Sequence, residues 1–590
     1  LGRLGESLAS QERALAIKPD LGEALSGHGS ALLALGRRAE ALASYERALA
    51  VRPDHAEAHY NRGVALGLLR RPEEALASYD RALALEPDYA NALYNRASAL
   101  RAMNRWQEAV AGYRRVSAIR ADHAEARLAA CVAELPILYA DEPEIASRRA
   151  AYAKALGALC EEIERGTTRL DLADAGGAHQ PFYLAYQGCN DRDLQAAYGS
   201  LLCRVVAARY PPAASVPPPG PGEPVRLGIV SAFFCAHSVW KLPVKGWMSQ
   251  LDRTQFRLFG YHTRSLQDGE TGNAAALCDR FVQGPLSIDR WRQTILSDAP
   301  HVLLYPEIGM DAHSTALAAQ RLAPAQCISW GHPETSGFPT LDYFLSSDLM
   351  EPPDGEEHYT ERLVRLPNLS VYYEPLDTEP VALGRADLGL RPAATIFWCG
   401  QSLFKYLPQF DQVFARIAGQ AGDCQLAFIE HPTTQVTALF KQRLERAFAA
   451  AGLRAEDYCV VLPGLDPHSF LAAIGLCDIV LDSIGWSGCN STLEGLAHDL
   501  PIVTMPGRFM RGRHTMAILR MMDVGETIVE TIDDYVSVAV RLARDLPWRS
   551  AVKARISAGK HRVYRDRTPI AALQEFLSRV ARPEHGGDLR

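Results

Sequence analysis

A repeat of 34 residues occupies the first part of the chain and constrains its fold more than any other feature. The segments AEALASYERALAVRPDHAEAHYNRG and EEALASYDRALALEPDYANALYNRA are near copies of each other. The residues that keep the same phase are Pro19, Pro53, Pro87, Tyr45, Tyr79, Tyr113, Gly29, Gly63 and Ala97. Proline at a turn and small residues where helices cross predict pairs of helices that stack, because one pair cannot bury its apolar face alone.

A helical pair of this length is typical of the tetratricopeptide repeat. We therefore predict an α-helical tetratricopeptide solenoid over residues 1–128. Its concave groove would bind an extended peptide or a partner helix, and a second role for such an arm is self-association into a homo-oligomer. Asn61 and Asn95 occupy equivalent positions on the inner helices, where they would either hydrogen-bond the backbone of a bound peptide or remain solvated.

The length and composition of the chain exclude several classes of protein. A chain of 590 residues is too long for one hydrophobic core, so three or four domains are expected. The formal net charge of −7 gives no reason to expect nucleic acid as a partner. No uncharged apolar run is long enough to predict a membrane span. The 12 cysteines are scattered without a CxxC pair, which favours reduced thiols and a cytoplasmic protein. Because the chain begins inside a repeat, further repeats are expected to precede Leu1.

Two further segments separate the repeats from the rest of the chain. Residues 129–210 still have helical periodicity but lose the 34-residue phase, which predicts a helical connector. Residues 211–224 read PPAASVPPPGPGEP and contain seven prolines. Such a segment is neither a helix nor a central strand, so we predict a linker and a domain boundary there.

After the linker, short apolar runs alternate with helical stretches. The first series is VRLGIV, FRLFGYH, HVLLY, QCISW and LDYFLSS, and the second is TIFWCG, CQLAFIE, YCVVLPG, DIVLDS and PIVTMPG. Strands separated by helices predict parallel sheets with crossover helices. The two series predict two Rossmann-like lobes, residues 225–380 and residues 381–590 with a C-terminal helix, and a ligand site in the cleft at the carboxyl ends of the strands.

Two clusters in the first lobe follow predicted strands. His237 lies just after the first strand, where a histidine can accept a proton or hydrogen-bond a substrate, although a single histidine is more often structural. The turn Gly331, His332 and Pro333 follows another strand, and its glycine lets backbone N–H groups approach a ligand closely.

Two clusters in the second lobe carry features of an anion site. Lys405 could meet a diphosphate and Gln401 a base or phosphate, or both could be solvated loop residues. After a glycine-rich loop, Asn490, Ser491 and Thr492 open a helix, and the exposed N–H groups and dipole of a helix start favour phosphate. Glu494 lies one turn later, where it could accept both ribose hydroxyls or form a capping box with Ser491.

Some motifs are missing from the sequence. No GxxxxGK[ST] segment is present, which argues against a P-loop ATPase, and neither GxSxG nor HExxH occurs. The one DxD-like triplet, Asp191 to Asp193, lies in the predicted connector and not at a strand end. The sequence therefore gives no support for a metal-dependent nucleotide-sugar site.

Five segments behind the repeats resemble the protein O-GlcNAc transferase and SPINDLY family, glycosyltransferase family 41. They are RLGIVSAFFCAHS, HPETSG with LDYFLSSD, GQSLFKYLP, DPHSFLAAIGLCDIVLDS and NSTLEGLAHDLPIVTMPG, and the resemblance covers the repeats and residues 225–580. It implies a GT-B fold and a nucleotide sugar, such as UDP-GlcNAc, as co-substrate without a cofactor or metal. It also implies transfer to Ser or Thr of a protein that the repeat arm helps to select.

The resemblance implies a role for each matching residue. In the first lobe, His237 matches the active-site histidine, and the residues Gly331, His332 and Pro333 align with the turn that lines the donor sugar.

In the second lobe, Lys405 matches the lysine that holds the diphosphate. His468 matches a histidine near the uracil or the phosphates. Asn490 and Ser491 align with the phosphate-binding helix start, and Glu494 aligns with the carboxylate that binds the ribose.

The chain departs from the family pattern at several of these positions. The usual His-Thr-Thr at the helix start reads Cys489-Asn490-Ser491, and the usual ribose aspartate is Glu494. Phe404 stands where tyrosine is common. His237 is followed by Ser-Val-Trp and not by Pro-Thr. These changes keep diphosphate binding plausible and leave the sugar and base open.

The leading hypothesis is an inverting, metal-independent protein glycosyltransferase that uses UDP-GlcNAc. A second hypothesis keeps the chemistry but changes the donor, for example to GDP-fucose, or changes the acceptor to Asn or a surface protein. A GT-B epimerase would have no use for a protein-binding arm. A third hypothesis is that the protein is a non-catalytic scaffold built on the repeats. The presence of Lys405, the glycine-rich loop and Glu494 in the expected order argues against it.

Overall fold

The computed structural model describes residues 2–166, 176–213, 215–376 and 381–582. Parts of five sequence-based predictions lie outside these residues: the first residue of the repeat arm, residues 167–175 of the connector, residue 214 of the linker, residues 377–380 at the lobe boundary and the tail 583–590. The chain forms two compact units, Leu1–Ile137 with Arg148–Leu170, and Leu138–Ser147 with Asp171–Arg590. The division by residue number into arm, connector, linker and two lobes stays a prediction.

The first part of the chain consists of helices. These are α1 (Gly2–Ile17), α2 (Gly22–Ala34), α3 (Arg38–Val51), α4 (Ala56–Leu68), α5 (Pro72–Leu85), α6 (Ala90–Ala102), α7 (Trp106–Ile119), α8 (Ala124–Val132), α9 (Glu142–Glu164) and α10 (Arg192–Arg209). Up to α8 the helices alternate in pairs at the predicted 34-residue period, so the prediction of a tetratricopeptide solenoid is confirmed.

The contacts within the solenoid explain its periodic residues. A Cβ atom built on Gly63 would lie 2.5 Å from the ring of Tyr79, and one built on Gly29 would lie 2.7 Å from the ring of Tyr45. Both tyrosines are buried. The glycines therefore let helices α2 and α4 pack directly against the aromatic residues of α3 and α5. Asn95 donates to the hydroxyl of Tyr60, 3.2 Å away, so at least one of the two predicted groove residues has a partner within the arm.

The second part of the chain has two parallel sheets. The strands are β1 (Val225–Ser231), β2 (Phe256–His262), β3 (Arg280–Gln283), β4 (Val302–Tyr305), β5 (Ala325–Ser329), β6 (Tyr343–Ser347), β7 (Arg362–Leu366), β8 (Thr395–Cys399), β9 (Cys424–Ile429), β10 (Cys459–Leu462), β11 (Ile479–Leu481) and β12 (Ile502–Val503). The first sheet has the order β3-β2-β1-β4-β5-β6-β7 and the second β10-β9-β8-β11-β12. The α/β class and the two Rossmann-like sheets are thus confirmed.

Helices connect and flank these strands. They are α11 (Lys245–Gln250), α12 (Gly269–Ala276), α13 (Ile288–Asp298), α14 (Ala312–Ala318), α15 (Asp411–Ala421), α16 (Thr434–Ala450), α17 (Pro467–Gly475), α18 (Asn490–Ala497), α19 (His514–Met521), α20 (Ile532–Arg544), α21 (Leu546–Gly559) and α22 (Thr568–Ala581). Residues 211–213 and 215–224 contain neither a helix nor a strand, as their prolines predict.

The last helix belongs to the core of the first sheet. Leu573 and Phe576 of α22 are buried in one apolar cluster with Leu227 of β1 and Leu304 of β4. This corrects the prediction that the C-terminal helix is part of the second lobe. The chain crosses back at its end, and the order of elements in a sequence does not reveal such a crossing.

Two properties of the described residues bear on the expected class of protein. All 12 cysteines are described, and each is a free thiol. Within the ranges that the structure describes, no helix combines the length and the apolar character that crossing a bilayer requires.

Candidate active site

The candidate site lies where both sheets reverse their strand order. In the first sheet the chain winds outward from β1 to β3 and then returns to place β4 on the other side of β1. In the second sheet the same reversal occurs between β8 and β11. Loops that leave the carboxyl ends of strands at such a point diverge and open a crevice. His237 follows β1, whereas Gln401 and Lys405 follow β8.

A cavity of about 1020 Å³ is lined by residues of both sheets' loops. This volume is at the upper end of the range of about 300–1,000 Å³ for small-molecule pockets. Six of the predicted site residues line it: His237, Gln401, Lys405, Asn490, Ser491 and Glu494. The structure therefore brings together residues that are up to 257 positions apart in the sequence (494 minus 237).

Lys405 is a cation with few competing partners in this cavity. Its Nζ donates to Oε1 of Gln401 at 3.0 Å and lies 5.6 Å from the ring centre of Trp486. Burial lowers the pKa of Lys405 to about 8, and the nearby carboxylate of Asp482 opposes this shift. The ammonium group is therefore still charged at neutral pH, and an incoming anion would restore the favourable interactions that burial removes.

Gln401 also fixes the start of helix α18. Its Nε2 donates to Oγ of Ser491 at 2.5 Å. A Cβ atom on Gly488 would lie 2.3 Å from both Nε2 of Gln401 and Oγ of Ser491, so only glycine allows this approach. The first N–H groups of a helix have no partner within it, and this contact holds them beside Lys405. Lys405 and Ser491 thus lie on one wall of the cavity, and their role as an anion site stays a prediction.

Asp482 shapes the loop before α18, and the sequence reasoning did not single it out. It follows β11 and is buried. Its carboxylate accepts hydrogen bonds from the N–H of Gly488 at 2.7 Å, from Oγ of Ser487 at 2.6 Å and from Oγ1 of Thr504 at 2.7 Å. The position of an aspartate at a strand end was the available signal, but its function depends on how the loop folds back.

Glu494 is held at the cavity wall by residues of both lobes. Its Oε1 accepts from Nδ2 of Asn490 at 2.7 Å and lies 3.4 Å from Nζ of Lys241, which belongs to the first lobe. Burial raises the pKa of Glu494, and Lys241 opposes the shift. Helix α18 has Cys489 at its N-cap without a side-chain cap, so the alternative of a Ser491–Glu494 capping box is not formed.

His237 reaches the same cavity from the loop after β1. Its Nδ1 accepts the N–H of Val239 at 3.2 Å, and its ring stacks on Phe233 with 4.1 Å between ring centres. Burial and the positive charge of Arg264 lower the pKa of His237 to about 4. The imidazole is therefore neutral near pH 7. Because Nδ1 is an acceptor in this bond, the remaining proton is on Nε2, which makes His237 a hydrogen-bond donor.

A buried carboxyl group supports the loop that carries His237. Glu307 follows β4, and burial raises its pKa to about 8. It accepts hydrogen bonds from Oγ of Ser231 at 3.0 and 3.1 Å and from the N–H of Ala232 at 3.0 Å. Oγ of Ser231 in turn accepts the N–H of Phe233, whose ring lies on His237. Sequence reasoning missed Glu307 because a single glutamate after a strand has no distinguishing pattern.

Five predicted site residues do not line the cavity. Thr492 is buried and its Oγ1 donates to the carbonyl of Gly488 at 2.7 Å, which stabilises the loop. His468 is exposed, on a helix whose Pro467 and Phe470 do reach the cavity. The members of the predicted sugar turn, Gly331, His332 and Pro333, also lie outside the lining. Their assigned roles stay predictions.

The turn at Gly331 packs inside the protein for a visible reason. The N–H of Gly331 donates to the carbonyl of Pro306 at 3.0 Å, and a Cβ atom there would lie 2.5 Å from that oxygen. The ring of His332 stacks on Phe182 with 5.0 Å between centres, and burial lowers the pKa of His332 to about 3. The glycine thus serves a close approach of two loops in this structure.

Residues of the predicted connector form a wall behind Lys405. Tyr186 stacks on Trp486 at 4.1 Å, and Trp486 is the ring beneath the ammonium of Lys405. Asp191, from the DxD-like triplet, is buried in an ion pair with Arg511 at 2.9 Å. The triplet therefore has a structural partner, and the connector contributes residues to the surroundings of the candidate site.

The chain is similar to known proteins in its repeats and in a longer segment of its sequence. Residues 27–90 and 78–111 match the tetratricopeptide repeat family. The chain is 26% identical over 335 residues to a protein of Arabidopsis thaliana named as a probable UDP-N-acetylglucosamine–peptide N-acetylglucosaminyltransferase, SPINDLY. This match covers 55% of the chain and 36% of the plant protein, so the chain spans about a third of that relative's length.

A bacterial relative and a solved structure extend the comparison. A UDP-glucose:protein N-beta-glucosyltransferase of Actinobacillus pleuropneumoniae is 23% identical over 332 residues, which cover 55% of the chain and 51% of that protein. A mutant O-GlcNAc transferase of Thermobaculum terrenum has the same fold, with a TM-score of 0.69 and 24% identity over 95% of this chain and 97% of that one. The predicted resemblance is confirmed: the chain is similar to the SPINDLY proteins, contains tetratricopeptide repeats and has the fold of this O-GlcNAc transferase.

Proposed function

We propose that the protein is an inverting glycosyltransferase that moves a sugar from a nucleotide sugar, UDP-GlcNAc, to Ser or Thr of a protein. The observation that carries the proposal is the contact of Lys405, Gln401 and Ser491 at the start of α18. This contact places a cation and the free N–H groups of a helix on one wall of a cavity lined from both lobes. A diphosphate fits that chemistry without a metal ion, because the protein itself supplies the positive charge.

In the proposed reaction, an acceptor hydroxyl attacks C1 of the donor sugar. The bond between C1 and the diphosphate oxygen breaks, and the nucleoside diphosphate leaves with the electron pair. Attack from the face opposite the leaving group inverts the configuration at C1. Lys405 and the helix start stabilise the negative charge that develops on the diphosphate, and such electrostatic stabilisation is usually the largest catalytic contribution.

His237 serves this reaction as a hydrogen-bond donor and not as its base. Its Nδ1 already accepts the N–H of Val239, and its lowered pKa keeps the ring neutral. In that state Nε2 carries the proton and can orient an oxygen of the acceptor or of the sugar. The proton of the attacking hydroxyl then needs another acceptor, and an oxygen of the departing diphosphate is available in the cavity for that purpose.

The repeat arm supports a protein as the acceptor. Tetratricopeptide stacks form concave surfaces that bind extended peptides, and the arm has the helical pairs that create such a surface. Self-association through the arm is the alternative role. We also propose a cytoplasmic location, since all 12 cysteines are free thiols.

A donor screen tests the proposal directly. Thermal unfolding of the purified chain is measured with UDP-GlcNAc, UDP-glucose, GDP-fucose, UDP and GDP, and hydrolysis of each sugar donor is followed. Stabilisation by a nucleotide sugar and by its diphosphate is expected, and Lys405→Ala should abolish transfer while the unfolding temperature of the free protein changes little. If none of these compounds binds, a non-catalytic scaffold becomes the better explanation. If Lys405→Ala has full turnover, Lys405 has no part in the mechanism.

A second candidate keeps the reaction but changes the donor or the acceptor residue. Two observations favour it: the bacterial relative is named as an N-beta-glucosyltransferase that uses UDP-glucose, and the helix start reads Cys489-Asn490-Ser491 with Glu494 in place of aspartate. Mass spectrometry of a modified acceptor distinguishes the candidates, because the added mass identifies the sugar. Release of the sugar by alkaline β-elimination identifies attachment to Ser or Thr, and resistance indicates Asn.

A further inference from the structure

A lysine of the first lobe reaches across the cavity to the second. Lys241 lies on the π-helical turn Trp240–Val244, which begins three residues after His237. Its Nζ is 3.4 Å from Oε1 of Glu494, and its side chain is 34% exposed whereas that of Glu494 is 13% exposed. The contact therefore joins the two walls of the cavity at its surface and not inside a packed core.

This ion pair is well placed to be exchanged for a ligand. A distance of 3.4 Å is long for an N⁺–H···O⁻ contact, and a partly exposed pair of this kind contributes little to stability. Glu494 keeps a second partner, Nδ2 of Asn490 at 2.7 Å, when Lys241 leaves. Lysine also has a flexible four-carbon stem and a compact charge, so its ammonium can move while its backbone stays fixed.

Lys241 lines the same cavity as the start of α18. Glu494 lies one helical turn after the start of α18, and one turn rises about 5.4 Å. The ammonium of Lys241 therefore contacts a residue one turn beyond the N–H groups to which the proposed function assigns the diphosphate, and Lys241 and Ser491 line the same cavity. Lys405 approaches the same helix start from the second lobe, through Gln401.

We infer that Lys241 is a second cation for the diphosphate, supplied by the first lobe. When a nucleoside diphosphate binds, the ribose hydroxyls donate hydrogen bonds to the carboxylate of Glu494. The ammonium of Lys241 then leaves Glu494 and contacts the diphosphate. The diphosphate is then held between Lys405 on one lobe and Lys241 on the other, so donor binding draws the two walls together. This inference rests on the proposed function and names a binding group that the resemblance to the family did not assign.

The test separates the ribose from the diphosphate. Dissociation constants are measured by calorimetry for UDP and uridine, with GDP and guanosine in parallel, on the full chain and on Lys241→Met. Lys245→Met is the matched control, because Lys245 lies on the same lobe and its ammonium is held by Glu270 at 3.0 Å. Lys241→Arg retains the charge, and circular dichroism verifies that each variant is folded.

The inference requires an effect on the diphosphate alone. Lys241→Met should raise the dissociation constant of the nucleoside diphosphate by about tenfold or more, because one charge-assisted hydrogen bond is lost. The affinity for the nucleoside should be unchanged or higher, because Glu494 is released from Lys241. The dissociation constants of Lys241→Arg and Lys245→Met should remain close to those of the unmodified chain. Equal weakening of nucleoside and diphosphate, or no weakening, overturns the inference while the proposed function stands. If the unmodified chain binds neither diphosphate, the proposed function fails and the inference with it.

Discussion

The charge of Lys405 should make donor binding depend on pH between pH 7 and 9. Burial lowers the pKa of Lys405 to about 8, so the side chain is an ammonium below that pH and a neutral amine above it. UDP is fully ionised in this range, because its terminal phosphate has already lost its second proton. The form with protonated Lys405 is therefore the one that binds UDP. The affinity for UDP should be highest well below pH 8 and should decline as the pH rises through 8.

The size of the effect follows from the titration. If only the protonated form binds, the apparent dissociation constant grows by the factor 1 + 10^(pH − pKa), which gives roughly tenfold weaker binding at pH 9 than at pH 7. The contact that is lost is a charge-assisted hydrogen bond, worth about 1.5–3 kcal/mol. Lys405→Met keeps the apolar stem, and this variant should bind UDP about 10- to 150-fold more weakly at pH 7.

Calorimetric titration of UDP at pH 7, 8 and 9 measures both quantities. The affinity of the unmodified protein for UDP should decline more steeply than its affinity for uridine, and Lys405→Met should show the same profile for both ligands. Uridine is the control ligand, since it has no phosphate to meet the ammonium, and any change in its affinity reports ionisation of the uracil ring near pH 9 and not of Lys405. A constant affinity of the unmodified protein for UDP between pH 7 and 9, or the same decline in Lys405→Met, would refute the assignment of Lys405 to the diphosphate.

Two further predictions concern the repeat arm and the histidine. Gly63→Ala should destabilise the arm by about 1–3 kcal/mol, because the added Cβ would lie 2.5 Å from the ring of Tyr79. Gly67→Ala on the same helix should be neutral or stabilising, because its Cβ would lie 3.9 Å from the hydroxyl oxygen of Tyr79. Thermal unfolding of both variants decides, and equal melting temperatures would contradict the packing argument. The rate of transfer should not depend on His237 ionisation between pH 5 and 8, because its pKa is lowered to about 4. A rate that falls below pH 6.5 in the unmodified protein but not in His237→Gln would restore the role of base to His237.

The fold could be predicted largely because its central strands are apolar on both faces. Runs such as HVLLY and CQLAFIE belong to parallel sheets covered on both sides, and β4 and β9 are accordingly buried. The two strands that the sequence did not reveal, Arg280–Gln283 and Arg362–Leu366, form the edges of the first sheet. An edge strand is half exposed and carries charged residues, so its sequence RFVQ or RLVRL resembles that of a loop.

The site could be predicted where a residue's position along the chain determines its place in the fold. Lys405, Gln401 and Ser491 follow strands or open a helix, and parallel topology alone brings such positions to one edge. Asp482 and Glu307 act through loops that fold back on them, and no spacing in the sequence reports such a contact. The glycine at position 331 predicted that another group approaches the backbone closely. In the structure that group is the carbonyl of Pro306 and not a ligand.

The departures from the family pattern have a shared explanation in the second lobe. Asn490 stands in the helix start that usually reads His-Thr-Thr, and Glu494 stands where aspartate is usual. In the structure Nδ2 of Asn490 donates to Oε1 of Glu494 at 2.7 Å. Residues four apart on a helix face each other, and the extra methylene of glutamate gives its carboxylate the reach to meet that amide. Two changes that seem independent in the sequence thus form one interaction, which orients the carboxylate toward the cavity and leaves it within reach of Lys241.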